Sequence, residues 1–384
     1  MLRTEGFRQV RLAVGILVAT VAVGCGRGAA AEREPAAETN RRWIDPRCTV
    51  LPWSVQAHIV RLGDGRLLTL GQNKALVSSD KGRSWRELSQ ITNGHKPGIP
   101  EAGGSVLLRT RDGAIVLFYM DMSEYVFRWD SVHGEPSPDT YLDLWCIRSL
   151  DEGTTWIDRH KVMHGYCGAL INIIETRDGH IVVPVSDLAR NPGRFITCTY
   201  MSADRGKTWT RSNAIDLGGA GHHDGACEAT AVELSDGRVL MLIRTARDRF
   251  WEAFSEDHGL TWREFRPSQI ESSNSPAYLL RLSSGRIAMF WNRLYPEGQT
   301  RWPRWQWHRP WAHRPASWHR TELSLAFSDD DCRTWSRPNV IARQPTDLSY
   351  PYAFEHAPGK LWIDVLWTQP PPLHFSLNEA DFIR

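Results

Sequence analysis

A tryptophan- and arginine-rich segment begins at Arg301 and reads RWPRWQWHRPWAHRPASWHR. Indole rings stack on the C–H faces of sugars and guanidinium groups bind acidic groups, so the segment is suited to an anionic glycan. The same composition equally suits a proline-punctuated loop that packs on itself through cation–π contacts. The sequence favours neither interpretation. The residues concerned are Trp302, Trp305, Trp307, Trp311 and Trp318 with Arg301, Arg304, Arg309 and Arg314.

A second long segment, YMDMSEYVFRWDSVHGEPSPDTYLD, begins at Tyr119 and is rich in carboxylates. Long loops on a rigid scaffold often carry functional sites, and a carboxylic acid here would suit acid–base chemistry. The more conservative interpretation of each carboxylate is a solvated acidic loop. The aspartates are Asp121, Asp130, Asp139 and Asp143.

The run His222-His223-Asp224 is a weak metal signal, and it favours a hydrogen-bonding loop over a metal site. The cysteines form no CxxC pair, and no His/Cys cluster has the spacing of a zinc site. The sequence therefore predicts no metal and no cofactor.

The elements that must position these side chains come from a repeated eight-residue box, S-x-D-x-G-x-x-W. Its Ser and Asp side chains can bind nearby backbone N–H groups, its Gly permits the bend, and its Trp packs beneath. We therefore interpret the box as structural and expect the tryptophans to be buried between outer strands. The copies are SSDKGRSW from Ser78, SLDEGTTW from Ser149, SADRGKTW from Ser202, SEDHGLTW from Ser255 and SDDDCRTW from Ser328, where Cys332 replaces the glycine.

A second repeat is a tight turn between two apolar runs, as in ELSDGRVLML. Asp-Gly or Ser-Gly between β-rich runs predicts a hairpin, because the turn needs a positive φ. Each of the first five hairpins is followed by one more strand, a box and another strand, which makes a four-stranded blade. The sequence thus predicts an all-β fold, a six-bladed β-propeller with Asp-box repeats. The turn glycines are Gly65, Gly113, Gly179, Gly237, Gly285 and Gly359.

The length of 384 residues, 41% of them hydrophobic, is enough for one large domain at 47–384. The net charge of +2 gives no reason to expect a nucleic-acid or membrane-surface partner.

Residues 1–31 combine arginines with a short apolar stretch and predict an export signal without a membrane span. Residues 32–46 are predicted to be a polar linker, and the protein to be secreted, periplasmic or on the cell surface. Cleavage near Ala31 is favoured over lipidation of Cys25, which would add a lipid anchor.

Six cysteines remain after removal of the signal. An even number in an exported chain permits disulfides, but the sequence does not choose among the pairings. They are Cys48, Cys146, Cys167, Cys198, Cys227 and Cys332.

The boxes, the hairpins and the run ACEATAVELSDGRVLMLIRTARDRFWEAFSEDHGLTW together resemble the sialidase (neuraminidase) superfamily, the bacterial secreted branch in particular. The resemblance covers roughly residues 50–384. It implies a retaining glycoside hydrolase similar to exo-α-sialidases, which releases a terminal acidic sugar from a glycan.

The resemblance also implies residue roles. Tyr350 matches the catalytic tyrosine, and Glu228 matches the glutamate that would serve as its base. Arg244 and Arg320 match arginines that bind the substrate carboxylate, since guanidinium groups grip a carboxylate in two-pronged fashion. A neutral tyrosine is not repelled by that anion, and sialidases are the glycosidases with a tyrosine nucleophile. Structural alternatives are a rim carboxylate for Glu228, an ion pair of Arg244 with Glu228 or Asp248, and a wedge between blades for Tyr350. Arg320 could instead cover apolar surface with its stem.

Two features depart from the family's pattern. Blade one lacks the Arg-Ile-Pro run that supplies a first arginine, and only His58 or Arg61 stands nearby. No aspartate in blade one fits the acid, which leaves those of blade two as candidates. A non-catalytic glycan-binding propeller and a hydrolase for another acidic sugar therefore remain alternatives.

Overall fold

The computed structural model describes residues 41–52, 58–98, 103–305, 314–368 and 371–383. Regular structure in these ranges is β-strand, apart from one 3-10 turn at Glu379–Asp381. No helix in these ranges is long and apolar enough to cross a membrane. The predicted export signal at 1–31 and Cys25 lie outside the described residues.

Two short strands, β1 (Trp43–Ile44) and β2 (Thr49–Val50), precede the blades. Blades one to three follow, each a four-stranded antiparallel sheet. Blade one consists of β3 (Val60–Arg61), β4 (Leu67–Gly71), β5 (Lys74–Ser78) and β6 (Arg86–Gln90). Blade two consists of β7 (Ser105–Arg109), β8 (Ile115–Met120), the inserted hairpin β9 (Trp129–Asp130) and β10 (Glu135–Pro136), then β11 (Leu144–Ser149) and β12 (Ile157–Met163). Blade three consists of β13 (Ile174–Glu175), β14 (Ile181–Ala189), β15 (Arg194–Ser202) and β16 (Thr210–Arg211).

Blades four to six complete the ring. Blade four consists of β17 (Cys227–Glu233), β18 (Val239–Arg244), β19 (Arg249–Ser255) and β20 (Glu264–Glu271). Blade five consists of β21 (Tyr278–Arg281), β22 (Ile287–Trp291), the inserted hairpin β23 (Arg304–Trp305) and β24 (Ala316–Ser317), then β25 (Glu322–Ser328) and β26 (Asn339–Arg343). Blade six consists of β27 (Leu348–Ala357), β28 (Lys360–Thr368) and β29 (Leu373–Asn378).

The N-terminal strands join the last two sheets. Strand β2 pairs with β29 and becomes the fourth strand of blade six, while β1 pairs with β26 and gives blade five a fifth strand. The predicted six four-stranded sheets are confirmed, with this one addition. The linker prediction was too long, because Trp43 and Ile44 lie within 32–46 and already belong to a sheet.

The repeated turns lie together on one face of the ring. Successive antiparallel strands reverse direction, so the turn after the first strand and the box after the third strand fall on the same face. All six predicted turn glycines have φ between +67° and +96°, which only glycine adopts without steric cost. The opposite face therefore carries the starts of the inner strands and the two long inserted segments.

The apolar core is divided among the six junctions between neighbouring blades. Each box tryptophan packs against or within the cluster that its blade shares with the preceding blade, as Trp156 does against the cluster that contains Leu68 and Leu117. The prediction of burial holds for Trp262, which is 2% exposed. The other four box tryptophans are half-buried.

The box itself has the predicted hydrogen bonds. In blade one the Ser78 hydroxyl donates to Asp80 Oδ1 at 2.8 Å, and Gly82 N donates to Ser78 Oγ at 2.8 Å. Ser84 N donates to Asp80 Oδ1 at 2.9 Å. The fifth box keeps the pattern, since Cys332 N donates to its Ser328 at 2.8 Å.

All six cysteines of the described residues are free, and four of them are buried. The disulfides that the even count permitted are therefore not formed in this structure.

Cys332 adopts φ +64°, in the left-handed region, where a side chain is strained. We expect Cys332→Gly to change the free energy of unfolding by less than about 1 kcal/mol, because relief of this strain offsets the lost packing of the thiol. Urea denaturation measures the effect. In the matched control Gly153→Ala, the new Cβ meets the Leu68 side chain at φ +84°, and we expect a loss of about 1–3 kcal/mol. Unfolding of the Cys332→Gly variant would show that the cysteine itself holds the box.

Candidate active site

Tyr350 lies near the start of the inner strand of blade six, at the axis of the ring. Its hydroxyl donates a hydrogen bond to Glu228 Oε1 at 2.7 Å. Burial raises the pKa of the Tyr350 phenol above its usual value, and the Glu228 carboxylate raises it further. The phenol is therefore neutral at rest, with a carboxylate in position to accept its proton. A base must lie within hydrogen-bond reach of the phenol, and Glu228 does, while the roles of both residues stay a prediction.

Glu228 lies at a bulge in the inner strand of blade four. The register between β17 and β18 shifts between Cys227 and Thr230, so two residues of β17 face one residue of β18. Glu228 N donates to Ser186 Oγ at 2.5 Å, which fixes the bulge to blade three. Glu228 has φ +31° and Tyr350 has φ +56°, and such strain clusters at functional sites. The bulge turns the carboxylate towards the axis instead of along the sheet.

Arg244 ends β18 and is 1% exposed. Its Nη1 donates to Glu228 Oε2 and, at 3.2 Å, to the Tyr350 hydroxyl. Its Nε donates to Asn274 Oδ1 at 2.6 Å. Burial opposes the charge of Arg244, but Glu228 and Tyr350 outweigh burial and raise its pKa. The guanidinium therefore stays charged although it lies inside the protein.

Arg320 lies two residues before β25 of blade five and is 6% exposed. Its Nη2 donates to the Asn274 carbonyl at 2.7 Å and its Nη1 to Ser349 Oγ at 3.3 Å. Burial and the neighbouring Arg244 lower its pKa to about 10, so it remains a cation at neutral pH. Asn274 thus holds both arginines, one through its side chain and the other through its carbonyl.

Two guanidinium nitrogens of this pair are buried without an acceptor among the described residues, namely Arg244 Nη2 and Arg320 Nε. A buried donor without a partner is costly, and two positive charges held side by side repel each other. A bound anion would accept from the unpaired donors and reduce the repulsion between the two guanidinium groups. A carboxylate suits guanidinium geometry.

Trp318 covers the arginines. Arg320 Cζ lies 4.1 Å and Arg244 Cζ 5.7 Å from the centroid of its indole ring, which is cation–π geometry. A second indole, that of Trp367, is 50% exposed and lies 6.1 Å from the Tyr350 ring, between centroids. The site therefore has one aromatic side chain over its cations and another at its mouth.

The rest of the tryptophan- and arginine-rich segment packs on the protein where it is described. Arg304 forms a 2.7 Å ion pair with Asp248, and the Trp302 ring lies 4.9 Å from the His319 ring. Arg304 therefore contacts another part of the protein and Trp302 contacts its own segment, while Trp318 joins the site. Trp307, Arg309 and Trp311 lie outside the described residues.

His222 and His223 form part of the wall of the site, and Asp224 ties their loop together. Asp224 Oδ1 accepts from Gly225 N at 2.8 Å and Oδ2 from Ala220 N at 3.2 Å, as expected of a hydrogen-bonding loop. The His223 ring lies 6.0 Å from that of Trp318. Burial, His222 and the two site arginines lower the pKa of His223, which is therefore neutral.

The four aspartates of the blade-two insertion have partners of their own. Asp121 accepts from Ser123 Oγ at 2.6 Å and pairs with His95, and Asp143 pairs with Lys161 at 2.5 Å. Asp130 bonds His133 and Asp139 bonds Arg128. Within the described residues, none of the four bonds to Tyr350, Glu228 or either arginine. Phe127 and Trp129 of the insertion instead pack against the His222 ring.

The two basic residues of blade one do not replace the arginine that the missing Arg-Ile-Pro run would supply. His58 is 3% exposed and packs on the Tyr352 ring at 4.9 Å between centroids, and burial lowers its pKa to about 3. An uncharged imidazole does not bind a carboxylate as a cation. Arg61 donates to the carbonyls of Gly65 and His356, at the hairpin turns of the opposite face.

Residues 74–363 match the BNR repeat-like domain family, and the chain belongs to that family. A search of curated proteins finds no match. Among solved structures, a protein of unknown function from Dyadobacter fermentans has 17% identity and a TM-score of 0.57, over 87% of this chain and 97% of that one.

Two glycosidases are also similar in structure. The Hadza microbial sialidase has 14% identity and a TM-score of 0.58, over 85% of this chain and 66% of that one. The α-L-arabinofuranosidase of Fusarium graminearum has 14% identity and a TM-score of 0.55, over 91% of this chain and 97% of that one. At these identities the likeness shows the fold, which is the predicted sialidase-like six-bladed propeller.

Asn274 was missed by the sequence reasoning, and its only signal is the polar run SSNS just before an inner strand. We expect Asn274→Ala to lower the free energy of unfolding by about 1–3 kcal/mol, because it leaves the buried Arg244 Nε without an acceptor. Urea denaturation measures this loss. The matched control is Ser273→Ala, since the Ser273 hydroxyl is buried without a partner among the described residues and we expect no loss. Equal stability of the two variants would contradict the role of Asn274.

Proposed function

We propose that the protein is a retaining glycoside hydrolase that removes a terminal acidic sugar from a glycan. Sialic acid is the first candidate for this sugar. The observation that carries this proposal is the 2.7 Å hydrogen bond from Tyr350 to Glu228 beside two buried arginines. A phenol, a carboxylate and two guanidinium groups in one pocket suit a substrate that carries an anion at its reacting carbon.

The arginines would bind the substrate carboxylate. Sialic acid carries a carboxylate on its anomeric carbon, and the free donors of Arg244 and Arg320 favour such a group. This carboxylate would repel an anionic nucleophile but not a neutral phenol. Tyr350 is therefore the group suited to attack, and Trp367 offers an indole face to the part of the glycan that leaves.

In the proposed first step, Tyr350 Oη forms a bond to the anomeric carbon while the glycosidic C–O bond breaks and the phenol proton passes to Glu228. The departing sugar oxygen takes a proton from an acid or from water. In the second step, water attacks the anomeric carbon and gives its proton to the base left from the first step, while the C–O bond to tyrosine breaks and the tyrosine oxygen takes back the proton from Glu228. Two displacements at one carbon restore the starting configuration.

The family and the similar structures support a carbohydrate substrate, because sialidases and an arabinofuranosidase share this fold. One observation favours a second candidate, a glycan-binding propeller without catalysis. The described aspartates of blade two are bonded elsewhere, so none supplies the acid that helps the leaving group depart. A fluorogenic sialoside with a good leaving group separates the two functions, since it needs no acid and only a hydrolase releases the dye.

We expect Tyr350→Phe to abolish release of the dye while leaving the free energy of unfolding nearly unchanged, because only the nucleophilic oxygen is removed. Steady-state kinetics measure the release of the dye, and urea denaturation of the same preparation measures the free energy of unfolding. Mass spectrometry of the wild type with a slow substrate should find the sugar attached to the peptide that holds Tyr350. Full activity of Tyr350→Phe, or no attached sugar, would contradict the nucleophile.

We expect Arg244→Ala to weaken binding of acidic sugars by about 2–5 kcal/mol, because a desolvated guanidinium–carboxylate contact is lost. Titration calorimetry with sialic acid and with a neutral sugar measures the difference within one variant. Arg61→Ala is the matched control, since this arginine serves the opposite face. An equal loss for acidic and neutral sugars would show that Arg244 only supports the fold.

A further inference from the structure

A second pocket, of about 320 Å³, lies where blade six meets blade one. Lys81 and Arg83 of the first box form one side, and His356 and Lys360 of the blade-six hairpin form another. Boxes and hairpin turns share the face opposite the starts of the inner strands. The pocket is therefore separate from the Tyr350 site and faces the other way.

The lining of this pocket is positively charged. Its charged side chains are basic, with no carboxylate among its described lining residues. Lys81 and Lys360 are exposed and form no ion pair within the described part of the chain. Arg47, also in the lining, is held by Asp45 at 2.8 Å and contributes little net charge. The excess of positive charge is local to this pocket, because the net charge of the whole chain is only +2.

The interior of the pocket offers a ring surface. The His356 imidazole stacks on the Trp362 indole, with centroids 4.5 Å apart and an interplanar angle of 18°. Trp362 is 5% exposed, so His356 presents the accessible ring. Burial lowers the pKa of His356, and Arg61, Lys360 and Lys81 lower it further, which agrees with a positive potential at the ring.

We propose that this pocket binds an anionic saccharide unit, one that carries a carboxylate or a sulfate, at a site separate from the proposed hydrolase site. The volume is that of a small-ligand pocket. Ammonium groups at the mouth suit the anion, and a flat ring with Leu51 and Leu377 beside it suits the C–H face of a sugar. Hydroxyl and amide groups of Ser376 and Asn378 add hydrogen-bonding partners for sugar hydroxyls.

A site on the far face changes how the protein meets a polymer. A glycan bound there raises the effective concentration of further chains of the same glycan at the opposite face. This inference does not depend on turnover, because a binding propeller would gain the same second contact.

The test uses the whole protein with Lys81→Gln and Lys360→Gln combined. Titration calorimetry employs three probes: a sulfated heparin tetrasaccharide, a tetragalacturonate that carries only carboxylates, and inorganic sulfate. We expect at least one tetrasaccharide to bind the wild type, and the double variant to bind it at least about tenfold more weakly. Hydrolysis of a small fluorogenic sialoside should be the same in both proteins, so failure of the proposed hydrolase would be seen separately.

A control removes two positive charges from other boxes, with Arg205 at the position of Lys81 and Arg333 at the position of Arg83. Arg205→Gln with Arg333→Gln alters exposed residues of the third and fifth boxes, and we expect wild-type binding. An equal loss in both double variants would reveal attraction by bulk charge and overturn the proposal. The proposal also fails if inorganic sulfate binds as tightly as the saccharides, if no saccharide binds, or if Arg244→Ala removes the binding.

Discussion

The six blades can bury their apolar faces only if the ring closes. A blade buries its apolar faces only against its two neighbours, so an open row of blades would leave two apolar faces in water. Here Thr49 and Val50 from the N-terminal side pair with Ser376 and Phe375 of blade six. The sheet of blade six therefore combines a strand that precedes blade one with the last three strands, and the hydrogen bond from Ile59 N to the Tyr352 hydroxyl, 2.7 Å long, links blade six to the start of blade one.

Closure also makes the strained site sustainable. Glu228 and Tyr350 have left-handed backbone conformations, which persist only where the surrounding structure fixes them. Glu228 is fixed by Ser186 of blade three, and Arg244 is fixed by Asn274 of blade five. Each site residue is thus positioned from a neighbouring blade, so the geometry of the site follows from the spacing of the blades around the axis.

The electrostatics of the site result from a balance of large opposing terms. Burial disfavours the charge on Arg244 and on Arg320, and the two guanidinium groups repel each other. One carboxylate, that of Glu228, compensates Arg244, while Arg320 depends on a carbonyl, a hydroxyl and the face of Trp318. The site therefore holds an excess of positive charge on one side of a neutral phenol, which is the arrangement that an anionic substrate would stabilise.

The fold is predictable from the sequence alone, because the signals that specify it are local. Each box is closed by hydrogen bonds within a few residues, as from Ser78 to Asp80, and each hairpin needs one glycine with positive φ. Such features repeat and are visible in the sequence. The resemblance to sialidases also identified Glu228, Arg244, Arg320 and Tyr350 as the residues of one site.

The roles of the non-repeated residues depend on tertiary contacts. Glu228 and Tyr350 are 122 positions apart, and their contact depends on the closed ring. The charge of His58 depends on its burial, and the contacts of Asp121 and Asn274 depend on loops that no repeat specifies. The N-terminal boundary moved for the same reason, since Trp43 becomes part of a sheet only when β26, almost three hundred residues later, lies beside it. Long-range packing, rather than local sequence, fixes these features.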